Sequence, residues 1–170
     1  MPIKTTCIGA YPKPDFVQLP DWFKAPAGPD TADPTKDWAR ALEALGSDAN
    51  AVIDRGVSQV ISDQVEAGID VPTDGEVPRE NYIHYHCRHI DGIDFSYLTQ
   101  KELRGGTYSA NLPTIVSLVQ ARDGFLVRDW RRAQMHTNHP VKMTMPGPMT
   151  ISDTTADAYY NDPRRLGADL

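Results

Sequence analysis

The sequence predicts an α/β fold built on a parallel sheet. Three observations predict it. A short β-like run, Ile3 to Ile8, ends in a Gly/Pro turn, Gly9-Ala10-Tyr11-Pro12-Lys13-Pro14. Helical periodicity follows. A second strand, Ile69-Asp70-Val71-Pro72, then runs into its own turn, Thr73-Asp74-Gly75-Glu76. Strand, helix and strand in that order form a βα alternation, which pairs strands in parallel through crossover helices.

Each element has a local reason. Residues 12–34 are rich in Pro, Asp and Gly around Trp22 and Phe23 and read as a long ordered loop, a kind that is uncommon unless functional. After Asp33-Pro34-Thr35 a helix spans Lys36 to Leu45, stopped by Gly46. A longer helix runs from about Asp48 to Ala67. Its Ile53, Val57, Val60, Ile61 and Val65 recur at helical spacing, and Gly68 stands where a left-handed C-terminal cap belongs. Ile90 to Phe95 and Thr114 to Val119 read as two strands of an inserted hairpin. A helix covers roughly Val127 to Thr137. Pro140 opens a further strand, Val141 to Met145, which ends at Pro146-Gly147-Pro148-Met149-Thr150. Asp153 to Tyr160 reads as a loop or short helix. Asp162-Pro163 opens a last helix, with Asp162 as N-cap and Pro163 in the first helical position. The chain stops barely two turns later, at Leu170, and so reads as a truncated single domain, residues 1–170.

Composition narrows the function. A net charge of −6 without a Lys/Arg run argues against a nucleic-acid or membrane-surface binder, since both partners are anionic. Met1 to Thr6 has no apolar signal core, and no apolar run is long enough for a membrane span. Two cysteines, Cys7 and Cys87, make no disulfide framework. A soluble, cytoplasmic protein of a reducing compartment is expected.

Four blocks then carry a resemblance. Thr5-Thr6-Cys7-Ile8-Gly9-Ala10-Tyr11-Pro12 is similar to T-T-x-I-G-S-[FY]-P. Gly68 to Glu76, followed by Arg79, is similar to G-[LI]-D-V-x-x-[HD]-G-E. Asp129-Trp130, Ala133-Gln134 and Pro140-Val141-Lys142 match a helix and third strand at the same internal spacing. Gly147-Pro148-Met149-Thr150-Ile151 matches G-P-[VM]-T-I. In this order the blocks resemble the catalytic barrel of the cobalamin-independent methionine synthase family, and they span nearly the whole chain.

The resemblance implies a partial (β/α)8 TIM barrel of about three βα units with an inserted hairpin. The matched turns then lie at the C-terminal ends of strands, where such barrels place their chemistry. It implies zinc-dependent methyl or alkyl transfer to a thiol such as homocysteine, with the metal binding the thiol as thiolate. The family's zinc ligands lie beyond this chain's end, so no metal ligand is expected here and the isolated chain is expected to be inactive. Ile8, Gly9, Ala10 and Glu76 would hold the amino-acid end of the thiol. A carboxylate suits an ammonium group, and turn N–H groups suit a carboxylate. The alternative for Glu76 is an exposed loop acid. Asp74 and Arg79 are expected to pair and shape the turn.

The sequence also departs from the pattern. Ala10 replaces a serine. No Arg-Cys pair stands near Ser109-Ala110, and Thr154 stands where a tryptophan is usual. A folate donor is therefore in doubt. The alternative function is an inactive barrel fragment completed by self-association or a second chain, because a partial barrel exposes sheet edges.

His84-Tyr85-His86-Cys87-Arg88-His89 is a tempting metal cluster. If helical, His86 and His89 share a face and Cys87 points away; if extended, Cys87 opposes His84 and His86. Neither geometry gives three convergent ligands. Partly buried histidines are the first expectation, and contact with substrate or with its binding residues near Glu76 the second. Met143 and Met145 are expected in the core.

Overall fold

The structure is a computed structural model that describes residues 3–21, 23–24, 34–103 and 105–170. Trp22 and most of the Pro-rich loop's second half lie outside the described residues.

Two larger apolar cores organise the described residues, beside a small cluster of Leu103, Ala110 and Leu112. The first is built on the helices α1 (Pro34–Leu45) and α2 (Ala49–Glu66), joined by a 3-10 turn, Gly46–Asp48. Helix α2 buries Ile53, Gly56, Val57, Val60, Ile61 and Gln64, which is the stripe a 3.6-residue period produces. That stripe packs on Val17, Leu19, Val77, Ala133 and Val141. Gln64 is polar, yet it is fully satisfied. Its amide donates to the carbonyls of Val60 and Thr73, and its oxygen accepts the Thr73 N–H at 2.9 Å. The side chain thereby stitches the helix to the segment that follows it. Gly68 ends the helix at φ 85°, as expected of a left-handed cap, with the Ile69 N–H returning to the Gln64 carbonyl.

Three extended segments lie against this layer. They differ from the expected strands, because each pairs with its neighbour through a single isolated bridge instead of a ladder. The bridges are Thr6 with Val71 and Thr73 with Lys142, and both are parallel. Pro72 offers no N–H to extend the pairing. The order is nevertheless clear: segment 3–8 lies beside 69–73, which lies beside 141–145. The Val71 N–H reaches the Thr5 carbonyl and the Lys142 N–H reaches that of Pro72, both at 3.0 Å.

The second core holds the regular sheet. β1 (Ile90–Leu103) and β2 (Tyr108–Ala121) form an antiparallel hairpin, longer than the two short strands expected from sequence. The tiny β3 (Ala156–Asp157) adds in parallel to β2. Beneath lie α3 (Tyr82–Cys87), α5 (Pro148–Asp153) and α6 (Pro163–Asp169), around Cys87, Ile93, Ile115, Val119, Ile151, Tyr160 and Leu166. α5 begins where the sequence suggested only a turn, with Pro148 in its first turn. Asp162 caps α6 through the N–H of Arg164 at 2.9 Å, as expected. Lys101 fastens the hairpin down: its ammonium donates to the carbonyls of Ser152, Asp153 and Thr155 at 3.0–3.1 Å. Between the cores runs α4 (Phe125–Gln134), shorter than predicted. Its Trp130 donates to the Val141 carbonyl. Met143 packs against the first core, whereas Met145 is 65% exposed, contrary to expectation.

Gly75 is the tightest point. It sits at φ 64°, and a Cβ there would stand 2.5 Å from Val60 Cγ1 and 2.9 Å from Tyr11 Cβ. Gly75→Ala therefore combines backbone strain with a clash on two sides. A loss of about 2–4 kcal/mol is expected in urea unfolding; a loss below about 0.5 kcal/mol would show that the turn is not held this tightly.

Candidate functional site at the common rim

Parallel bridges fix direction. Segments that pair in parallel end on the same side, so the turns after residues 8, 73 and 145 open onto one rim. The turns also touch. The Tyr11 N–H donates to the Gly75 carbonyl at 2.9 Å, and the Thr144 hydroxyl donates to Glu76 Oε1 at 2.9 Å.

Glu76 is at the centre. It is 5% exposed, so it is not the exposed loop acid that the sequence left open. It adopts φ 58°, a left-handed conformation rare for a residue with a side chain. Two contacts hold it there: its N–H donates to Asp74 Oδ1 at 3.0 Å, and its carbonyl accepts the Arg79 N–H. Glu76 Oε2 accepts no hydrogen bond from a described residue.

Arg79, 1% exposed, clasps the site. Nη1 donates to both the carbonyl and the hydroxyl of Thr144 at 3.0 Å and stands 3.7 Å from Glu76 Oε1. Nη2 lies 3.5 Å from Asp74. Burial nonetheless pushes the carboxyls of Asp74 and Glu76 upward, against the pull of Arg79. Glu80 goes further. It is buried and bonded through Oε1 to Arg88 Nε at 2.8 Å, and Oε2 is buried without a partner. Burial pushes it up to about 7, against the opposing Arg88.

The expected residues at the first turn are less enclosed. Ile8 is 84% exposed, Gly9 is a φ 82° turn glycine, and Ala10 is half-buried. His84 and His86 both lie on α3 and are buried. His84 Nδ1 meets the Asn81 amide, and His86 Nδ1 meets the Tyr82 carbonyl at 2.6 Å. Their Nε2 atoms are buried without a hydrogen-bond partner. Desolvation lowers both to about 4, so they stand neutral near pH 7. Cys87 is buried in the second core, where burial pushes its thiol up to about 12, and His89 stacks on Phe125 beside Asp123. Among the described residues no three His, Cys, Asp or Glu side chains are grouped so as to hold a metal ion.

Sequence reasoning missed three participants. Lys13 is 5% exposed and faces Asp21, Glu76, Asp74 and Glu80. Thr144, between two methionines that drew attention as core residues, bridges Arg79 and Glu76. Tyr85 donates to the buried Asp129 at 2.8 Å and ties α3 to α4. No periodicity marks a buried Lys in a Pro-rich turn; only the alternation of 141–145 could have pointed to Thr144.

These titrations have opposite signs. A raised folded pKa at Glu80 means the folded state holds its proton longer, so stability from this group is lost as pH rises from about 4.5 to about 7. The lowered pKa of His84 means that the unfolded state takes the proton first, so stability is lost as pH falls from 6.5 toward 4. Glu80→Gln should gain on the wild type between pH 5 and pH 8, and His84→Phe should gain between pH 7 and pH 5. Each gain is on the order of 1–3 kcal/mol in chemical unfolding. A pH-independent difference for either variant would contradict the assigned protonation states.

The family model for the catalytic domain of cobalamin-independent synthases matches residues 28–165. Methionine synthase of Saccharolobus solfataricus is 28% identical over 170 residues, which cover 99% of this chain and 46% of that protein. Methionine synthase of Saccharolobus islandicus strain Y.N.15.51 is 30% identical, with the same coverage. The solved B12-independent methionine synthase from Shewanella sp. W3-18-1, in complex with selenomethionine, superposes with a TM-score of 0.79 at 28% identity, over 97% of this chain and 44% of that one. The chain thus spans about half the length of the relatives it matches. With the family model covering most of its length, the chain belongs to the cobalamin-independent synthase catalytic-domain family.

Proposed function

We propose that this chain carries the front part of a site that transfers a methyl or alkyl group to a thiol such as homocysteine, and that it holds the thiol's amino-acid end. The observation that carries the reading is Glu76. It is a buried carboxylate in a strained turn, oriented by Arg79 and Thr144 on one oxygen and without a donor among the described residues on the other. Such a group suits a ligand ammonium, because a charge-assisted hydrogen bond in a shielded site is strong and directional. The first turn, Ile8-Gly9-Ala10, lies at the same rim and offers backbone N–H groups. Asp74 and Arg79 set the carboxylate's orientation; His84 and His86 are neutral groups on the helix behind it. The Shewanella relative's complex with selenomethionine, an amino acid of the same shape, supports this ligand class.

The reading includes the fold. The three parallel segments would be the first strands of a (β/α)8 barrel, with β1 and β2 inserted after the second. Activation of the thiol, which zinc supplies by holding it as a thiolate when bound, would fall to residues outside those described. The methyl donor is left open. Thr154, at the end of α5, offers no ring for a pterin to stack on.

A partial barrel needs covering. Segment 141–145 has one neighbour among the described residues, and Val127, Trp130 and Met145 beside it are 40–65% exposed. This supports completion by a second copy or a complementary chain. Among the described residues no helix is long and apolar enough to cross a membrane.

Two measurements test the proposal. In calorimetric titration with homocysteine, Glu76→Gln should weaken binding about tenfold or more, since a buried carboxylate partner is lost; unchanged affinity would remove Glu76 from the ligand site. In size-exclusion chromatography with light scattering, the chain should elute above its 18.9 kDa monomer mass. A compact, stable monomer would show that the apolar face needs no cover.

A further inference from the structure

Four side-chain atoms are buried without a hydrogen-bond partner among the described residues, and all four belong to one short segment: Arg79 Nε, Glu80 Oε2, His84 Nε2 and His86 Nε2. Buried polar atoms are nearly always satisfied, so a concentration of this kind marks a place where something else answers them. The four divide by their surroundings. Glu80 and His84 lie toward Arg88, which bonds the one and acts on the other through its charge. Arg79 and His86 share the Tyr85 ring instead. The Arg79 guanidinium carbon is 5.9 Å from the ring centroid, and the His86 ring meets it edge to face at 6.2 Å.

This second pair is chemically complementary. His86 Nδ1 stands 2.6 Å from the Tyr82 carbonyl, which can only accept, so Nδ1 carries the proton. Burial, and after it the charge of Arg79, lower the ring to about 4, so it holds no second proton near pH 7. His86 Nε2 is therefore a bare acceptor. Arg79 Nε can only donate. The two are not bonded directly, and one water between them would satisfy both.

The guanidinium needs this third point. Nη1 is fixed on Thr144 at 3.0 Å, but its approach to Glu76 Oε1 is 3.7 Å and that of Nη2 to Asp74 is 3.5 Å, both too long to hold a plane. Held at Thr144 alone, the group is free to pivot; a partner on Nε stops it. A neutral imidazole suits the task. A carboxylate would add another acid beside Asp74, Glu76 and Asp129, and a cation would repel Arg79.

We propose that His86 is a positioning residue for the rim: through one bridging water it holds the Arg79 Nε–H and so fixes the plane of the guanidinium that orients Glu76. Its effect on a ligand rests on the proposed function; the hydrogen bond itself does not.

The test is NMR on the 170-residue chain with isotope-labelled histidine, arginine and glutamate, for wild type, His86→Phe and His86→Gln. Phe keeps a ring and removes the acceptor; Gln returns an acceptor near the place of Nε2. In the wild type, His86 should give the Nδ1–H tautomer, and the Arg79 Nε–H should exchange slowly with solvent. His86→Phe should speed that exchange about tenfold or more and raise the titration of the Glu76 carboxyl, because the pull of Arg79 weakens. In calorimetry it should weaken homocysteine about threefold to tenfold. His86→Gln should restore most of each effect. An Nε2–H tautomer in the wild type overturns the proposal, even where the Phe variant does not fold. It is overturned equally by a His86→Phe variant that melts like the wild type and leaves both the exchange and the Glu76 titration unchanged, the result expected of a histidine that only packs. Absence of homocysteine binding by the wild type would sink the ligand reading, while the tautomer, the exchange and the titration still decide the role of His86.

Discussion

One guanidinium organises the rim. Arg79 is shut away from water and spends its two terminal nitrogens on Asp74, on Thr144 and on the approach to Glu76. Burying these charges is expensive, and buried ion pairs often contribute little net stability. What the arrangement gives is definition. The second turn and the end of the third segment, joined elsewhere by a single bridge, are locked at this point. Without Arg79, two buried carboxylates would face each other unpaired.

This clasp explains why weak strand pairing suffices. Isolated bridges at Thr6 and Thr73 cannot by themselves set a register. The register comes from side chains that cross between elements: Gln64 to Thr73, Gln134 to Val141 and the preceding loop, Thr5 to Asp70, and Arg79 to Thr144. Polar stitches of this kind are geometrically demanding. They place the three turns at one level, where the shallow ladders alone would leave them free to slide.

The same feature accounts for what was legible in the sequence. Elements defined by local chemistry were readable: the Gly68 cap, the Asp162-Pro163 helix start, the apolar stripe of α2, and the Gly75-Glu76 turn. Their signals are short-range steric and capping rules. The parallel order also followed, from βα alternation. Hairpin length was underestimated, because β1 carries polar residues such as Ser96, Thr99, Gln100 and Lys101 that find partners only in tertiary structure. Lys101 looks like a solvated charge, yet it holds three carbonyls. Lys13 is the sharpest case. Nothing in Tyr-Pro-Lys-Pro announces a buried cation, since burial there is decided by Asp21, Lys24 and an acid cluster some sixty residues away. The histidine cluster misleads in the opposite direction: its metal-capable residues are adjacent in sequence but point into different surroundings once α3 forms.

Charge balance at the rim then constrains what can bind. Glu76 keeps an oxygen that no described group satisfies, and Glu80 keeps a second one, sealed from solvent. A neutral ligand would leave Glu76 without a charged partner, and an anion alone would face the three carboxyl groups of Asp74, Glu76 and Glu80. A cationic group would meet Glu76 through a charge-assisted hydrogen bond and offset part of the desolvation cost of burying it.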